Sequence, residues 1–174
     1  MSNVQHELHL PALHHDAAIA DALAGGGVTV AFIAREPGAR WVQVMVGRRV
    51  DPHDVARACS VALDTIAVGV AATDIDLPPF ALSLFDRGEL VLELVYAEPP
   101  ALHGAVARAA TLLEIDAEVI DDLVVRRERE GDSQDEDDAV GWLFGRGRVR
   151  LGLLTSSEDE PRWEPLALPS PPAP

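Results

Sequence analysis

The chain is predicted to be an α+β protein: a mainly antiparallel sheet built from two ββα units, with helices on one face, then a C-terminal hairpin and a proline-rich tail. Three observations predict this. The segment FALSLFDRGELVLELVYA, Phe80 to Ala97, alternates apolar and polar residues on either side of Asp86-Arg87-Gly88. That is the pattern of a hairpin whose turn glycine takes a positive φ. Asp51-Pro52 follows a β-type run and opens a helix, because Asp can cap the free N–H groups and Pro fits the first helical position. Finally, the order strand, turn, strand, helix occurs twice, and each helix carries the string VARA, at Val55 to Ala58 and Val106 to Ala109.

Element by element, Asp16 to Ala24 reads as a short helix with Ile19 and Leu23 four apart, ended by Gly25-Gly26-Gly27. Val28 to Ala34 reads as a buried strand, Glu36-Pro37-Gly38 as a turn and Trp41 to Val46 as a second strand. The helix from Pro52 carries Val55, Cys59, Ala62, Ile66 and Val70, an almost apolar face that calls for burial. In the hairpin, Leu90, Leu92, Leu94 and Tyr96 fall on one side and Glu89 and Glu93 on the other. Pro99-Pro100 opens a long helix with Leu102, Val106, Ala109, Leu113, Ile120 and Leu123 on one stripe, broken near Asp116. Val140 to Leu154 reads as a second hairpin around Gly145-Arg146-Gly147, with Arg148 and Arg150 alternating against Val149, Leu151 and Leu153. The arginines there suit a solvated face or a protected edge. The last fourteen residues hold six prolines, which argues against any sheet or helix in them. Residues 1–15 thus read as a leader, residues 16–155 as one domain with an acidic loop at 128–138, and residues 156–174 as a tail.

Composition narrows the function classes. A chain of 174 residues buries about two-thirds of its unfolded surface and needs neither disulfide nor metal to fold. The lone Cys59 cannot form an internal bridge, no basic-plus-apolar segment opens the chain, and the weakly charged run from Cys59 to Ala72 is too short to span a bilayer. A cytoplasmic protein without membrane insertion is expected. The net charge is −15, and Glu114 to Asp138 alone carries twelve acids against three arginines. Such a field repels phosphate backbones, so no nucleic-acid partner is expected.

The search for chemistry begins with HELHLPALHHD, which holds His6, His9, His14 and His15, four of the six histidines. Structural zinc sites want four ligands at regular spacings, usually with cysteines. Here Pro11 interrupts the segment, the HExxH spacing is absent and adjacent histidines point apart. No metal ligand is assigned. Cys59 sits on an apolar helix face, where a thiol is normally inert. His53 and His103 stand at equivalent helix starts and could pair. Gly25-Gly26-Gly27 precedes a strand rather than a helix, and neither a phosphate loop nor a dinucleotide fingerprint is present. No catalytic residue and no cofactor is predicted.

What remains is surface for partners. Trp142, Phe144, Arg148, Arg150 and Trp163 are the candidate contacts with another protein. Trp163, between prolines, either packs back on its own domain or anchors another chain.

From Asp16 to Leu123 the order of elements resembles the type III secretion chaperone fold and the related YbjN-like family. The segment LSLFDRGELVLELVYAEPPALHGAVARAATLL carries that likeness best. The resemblance implies a small, acidic, cytoplasmic and usually dimeric protein that binds extended client segments or regulates without catalysis. The chain departs by having two strands before the first long helix, and by its added hairpin and tail. Three functions stay open: a non-enzymatic chaperone-like, adaptor or assembly protein; a small enzyme or metal-dependent protein using the histidines; and an immunity or inhibitor protein whose acidic segment covers a basic surface.

Overall fold

A computed structural model describes residues 5–72, 80–95, 106–121, 148, 151–154 and 161–170. The elements are β1 (Gln5–Pro11), α1 (Asp16–Gly25), β2 (Ala31–Ala34), β3 (Trp41–Val46), α2 (Pro52–Ala62), β4 (Ile66–Ala72), β5 (Phe80–Asp86), β6 (Glu89–Val95), α3 (Val106–Leu113) and β7 (Glu164–Leu166). They form one seven-stranded sheet in the order β6-β5-β4-β1-β3-β2-β7, with every neighbouring pair antiparallel. The α+β class with an antiparallel sheet therefore holds, and β2–β3–α2 and β5–β6–α3 are the two ββα units.

The expected leader is the first correction. Residues 5–11 form the central strand, paired with β3 on one side and β4 on the other. Alternation sends Leu8 and Leu10 to one face, where both are fully buried, and Glu7 and His9 to the other. Four apolar and polar positions are too few to announce a strand, and the polar pair looks solvated until its partner is known.

The second correction concerns α2. Asp51 caps it as expected, accepting from the His53 backbone N–H at 2.9 Å. It ends at Ala62, however, and Ile66–Ala72 is strand β4. Asp64 has φ 48°, and Thr65 bonds back to Ser60, which turns the chain by the end of one short loop. After Thr65 the β-branched Ile66, Val68 and Val70 recur with period two. Ile66 and Val70 also fall on the helical spacing of Val55, Cys59 and Ala62, so the two periods coincide over this stretch. Gly69 is the point where α2 crosses the sheet: a Cβ there would lie 2.6 Å from the Pro52 carbonyl oxygen. No side chain fits that approach.

Third, the helices cover both faces. Ile19 and Leu23 of α1 and Val55, Ala56 and Cys59 of α2 pack with Leu8, Leu10, Val42, Val44, Ala67 and Phe85. On the opposite face Ala109, Ala110 and Leu113 of α3, together with Ile120, pack with Val68, Val70, Leu82, Leu84 and Leu92. We refer to these as the α2 face and the α3 face. The break near Asp116 is present: Glu114 has φ 57°, and helical residues resume at 117–121. Arg40 joins α3 to the sheet by donating to the carbonyls of Leu112 (2.8 Å) and Leu113, which are left free at the helix end.

The β5–β6 hairpin forms around Arg87 (φ 48°) and Gly88 (φ 87°), two left-handed residues as a two-residue hairpin of this twist requires. The α2 helix grips it: the Ser60 hydroxyl accepts from the Gly88 N–H at 2.8 Å, and Arg57 Nε donates to the Gly88 carbonyl at 3.2 Å. Its inward face needs one revision. Leu84 pairs with Leu92 but Phe85 pairs with Leu90, so Val91 is an extra residue. This bulge turns Leu90 (38% exposed) to the α2 face and buries both Val91 and Leu92 on the α3 face. Leu92→Ala should cost about 2–5 kcal/mol by leaving a cavity there; an unshifted thermal melt of the soluble variant would contradict that assignment. Tyr96, Leu102 and Leu123 lie outside the described residues.

The C-terminal half brings two further corrections. Arg148 is helical rather than part of a strand. Leu153 N–H bonds the Arg148 carbonyl at 2.9 Å and Gly152 has φ 71°, which is how a helix ends on a left-handed glycine. Leu151 and Leu153 are buried in the α3-side core. The tail does extend the sheet, as the three-residue edge strand β7 paired with β2. Pro165 is tolerated there because on an edge strand the missing N–H can face away from the neighbour.

Candidate functional site

Two places on this sheet hold functional interest. The first is the polar group on the α3 face of the central strand. Glu7 sits between Val70 and Met45, and His9 between Val68 and Gln43. Arg148, distant in sequence, reaches across them. Its Nη1 donates to Glu7 Oε2 at 2.5 Å and lies 3.4 Å from His9 Nε2. The Arg148 and Glu7 side chains are 7% and 6% exposed. Burial pulls the Arg148 guanidinium down from its ordinary value, and Glu7 opposes that pull. Since guanidinium nitrogens cannot accept, the contact makes His9 Nε2 the acceptor and puts the ring proton on Nδ1. That Nδ1 finds no partner among the described residues, and neither does Trp41 Nε1. Burial first, and then the Arg148 charge, hold the His9 imidazole well below its usual range. The arrangement is sealed, so it can clamp the C-terminal segment onto the central strand. Its chemistry is that of a structural lock.

The second place is the sheet edge at β2. Ala31 pairs with Leu166, Phe32 with Pro165 and Ile33 with Glu164. Leu166 and Leu168 pack half-buried against the α2-side core, and Trp163 is half-buried just before the strand. A cleft of about 630 Å³ remains between the Ala24–Gly25 end of α1, residues Gly27–Thr29 and tail residues Leu168–Ser170. That is within the size range of ligand sites. The tail is held weakly. Fixing three residues costs roughly 3–6 kcal/mol of backbone entropy. Half-burying two leucines returns about 1 kcal/mol each, and a few edge hydrogen bonds about 1 kcal/mol each. The balance lies within about 1–2 kcal/mol of zero, so this contact belongs to the low-stability end of the molecule.

The remaining sequence candidates are dispersed. His6 and His9 fall on opposite faces of β1, His14 is in the following loop and His15 is the N-cap residue of α1. His53 lies at the start of α2, where burial lowers its pKa; His6 adds to this, while Asp51, Glu93 and Asp54 oppose it. Among the described residues no group of three or more His, Cys, Asp or Glu side chains could hold a metal ion. Cys59 is fully buried and its thiol is pushed up to about 12 by desolvation. It is not a nucleophile at neutral pH. Of the predicted partner contacts, Arg148 is interior and Trp163 is half-buried just before β7, while Trp142, Phe144 and Arg150 lie outside the described residues, as do His103 and the acidic loop at 128–138. Glu7 and the β2 edge were both missed by sequence reasoning. Only the Leu8/Leu10 alternation in β1 and the Leu166/Leu168 spacing in the tail could have flagged them. No helix among the described residues is long and apolar enough to cross a membrane. Comparison with family models, with curated proteins and with solved structures finds no match for this chain.

Proposed function

We propose that this chain is a non-enzymatic protein-interaction protein, of a chaperone-like, adaptor or assembly type. The observation that carries the reading is the edge of β2, which receives an extended, proline-containing segment by strand addition. The likeness of Asp16 to Leu123 to the YbjN-like and secretion-chaperone pattern, whose members take extended clients, points the same way. So do Val30 and Phe32, which leave 57% and 37% of their surface exposed beside that edge. The test is purification of the tagged full chain from its native cell after cross-linking, mass spectrometry, and reconstitution of the captured protein with the pure chain. A complex of fixed stoichiometry is expected. A chain that stays monomeric and reconstitutes with nothing captured at native abundance refutes the reading.

A further inference from the structure

We propose that the outer edge of β2 and the adjoining cleft form a peptide groove plugged in cis by the chain's own tail, and that its ligand is a cationic extended segment with apolar residues two apart. This rests on the interaction reading above and names the site and the partner chemistry.

The occupant already seen defines the recognition mode. Strand pairing uses the backbone of residues 164–166, so it reads extension rather than sequence. Selectivity comes from Leu166 and Leu168, which share the α2 side and pack against its core. Pro165 is exposed, so that position places no demand on a ligand. The tail fits incompletely, since the 630 Å³ cleft stays open against Leu168–Ser170. A ligand bulkier beyond the second apolar residue would fill what the tail leaves empty. Charge selects further: the tail stretch from Pro161 to Ser170 is neutral, with Arg162 against Glu164, while the whole chain carries −15. A cationic segment is drawn to that field and a second copy of this acidic chain is repelled. The exchange is feasible because a tethered segment competes at an effective concentration of about 1 mM. A tail whose own intrinsic Kd is about 0.1 mM would then weaken any competing peptide roughly ten-fold, and a tighter-binding tail proportionately more.

The experiment measures fluorescence anisotropy of a labelled tail peptide, residues 161–170, on the full chain and on a full chain with its tail released by L166D/L168D. The released chain is expected to bind at least ten-fold more tightly than the wild type, and adding Thr29→Arg, which occupies the exposed wall of the cleft, should reverse the gain. A second peptide carrying Glu164→Arg should bind the released chain more tightly at low salt, with the difference disappearing at high salt. A released chain that melts like the wild type yet binds no better overturns the proposal. So does an equal or salt-independent response to the arginine peptide. Should L166D/L168D fail to fold, hydrogen exchange on the wild type decides. Amides of Glu164 and Leu166 exchanging at least 100-fold faster than those of β1 support a removable plug, and exchange together with β1 rules it out. A natural complex that survives Thr29→Arg would sink the groove but leave the interaction function standing. Peptide binding at the groove with no natural complex would do the reverse.

Discussion

Arg148→Met is expected to lower the unfolding free energy by about 3–5 kcal/mol, because it leaves the Glu7 carboxylate buried beside Val70 and Met45 without its cation. For a chain of this length that is a drop of roughly 6–20 °C in Tm. The loss comes from stranding a charge, which separates it from the net worth of the ion pair. Two charges that are 6–7% exposed have given up most of their hydration, and their attraction returns that cost only while both are present. Glu7→Leu combined with Arg148→Met should therefore recover much of the loss. On the α3 face Glu7 is flanked by Val70 and Met45, with Leu82 and Leu84 one strand beyond and His9 the nearest polar neighbour along β1. A double-mutant cycle by chemical denaturation should give a coupling of at least ~2 kcal/mol. If Arg148→Met alone costs under ~1 kcal/mol, the pair is not sealed and the clamp between C-terminal segment and central strand is not what holds them.

That lock also explains which parts of the fold could be read in advance. The strand β3, the Asp51 cap, the α1 boundaries and the β5–β6 turn each depend on neighbours within a few residues, and each emerged where the local pattern placed it. The central strand did not, because Glu7 and His9 are compatible with burial only through Arg148, which lies 141 and 139 residues away. The strand β4 was hidden by arithmetic: Ile66 and Val70 satisfy the helical spacing of α2 as well as the period of a strand. Leu90 was misplaced by one residue of bulge, since the extra residue Val91 inverts Glu89 and Leu90 relative to Leu92 and Leu94. In the tail, counting prolines obscured that a three-residue edge strand needs donors on one side only. The candidate site suffered most, since both of its locations are made by C-terminal residues returning to elements near the N-terminus.

Acid should weaken this protein from pH 6.5 downward, and His9 should be a main cause. Its folded pKa is depressed well below 6.5, first by burial and then by Arg148. Below pH 6.5 the unfolded chain takes up a proton that the folded chain refuses, so the unfolded state binds more protons. Stability then falls as pH falls, from 6.5 down to the folded pKa, and is fully present above 6.5. The slope is about 1.4 kcal/mol per pH unit for each histidine that stays neutral. His53, also depressed by burial, adds in the same direction over the upper part of that window. Denaturant titrations at pH 6.0 and 5.0 should therefore show a loss that His9→Leu reduces by roughly 1 kcal/mol. His53→Gln should reduce it by less, because Asp51, Glu93 and Asp54 offset part of its shift. The two histidines lie on opposite faces of the sheet, so the effects should add. A pH dependence unchanged by His9→Leu would mean that His9 accepts its proton in the folded state. Since Arg148 Nη1 lies 3.4 Å from Nε2 of that ring, such protonation could occur only with the clamp displaced.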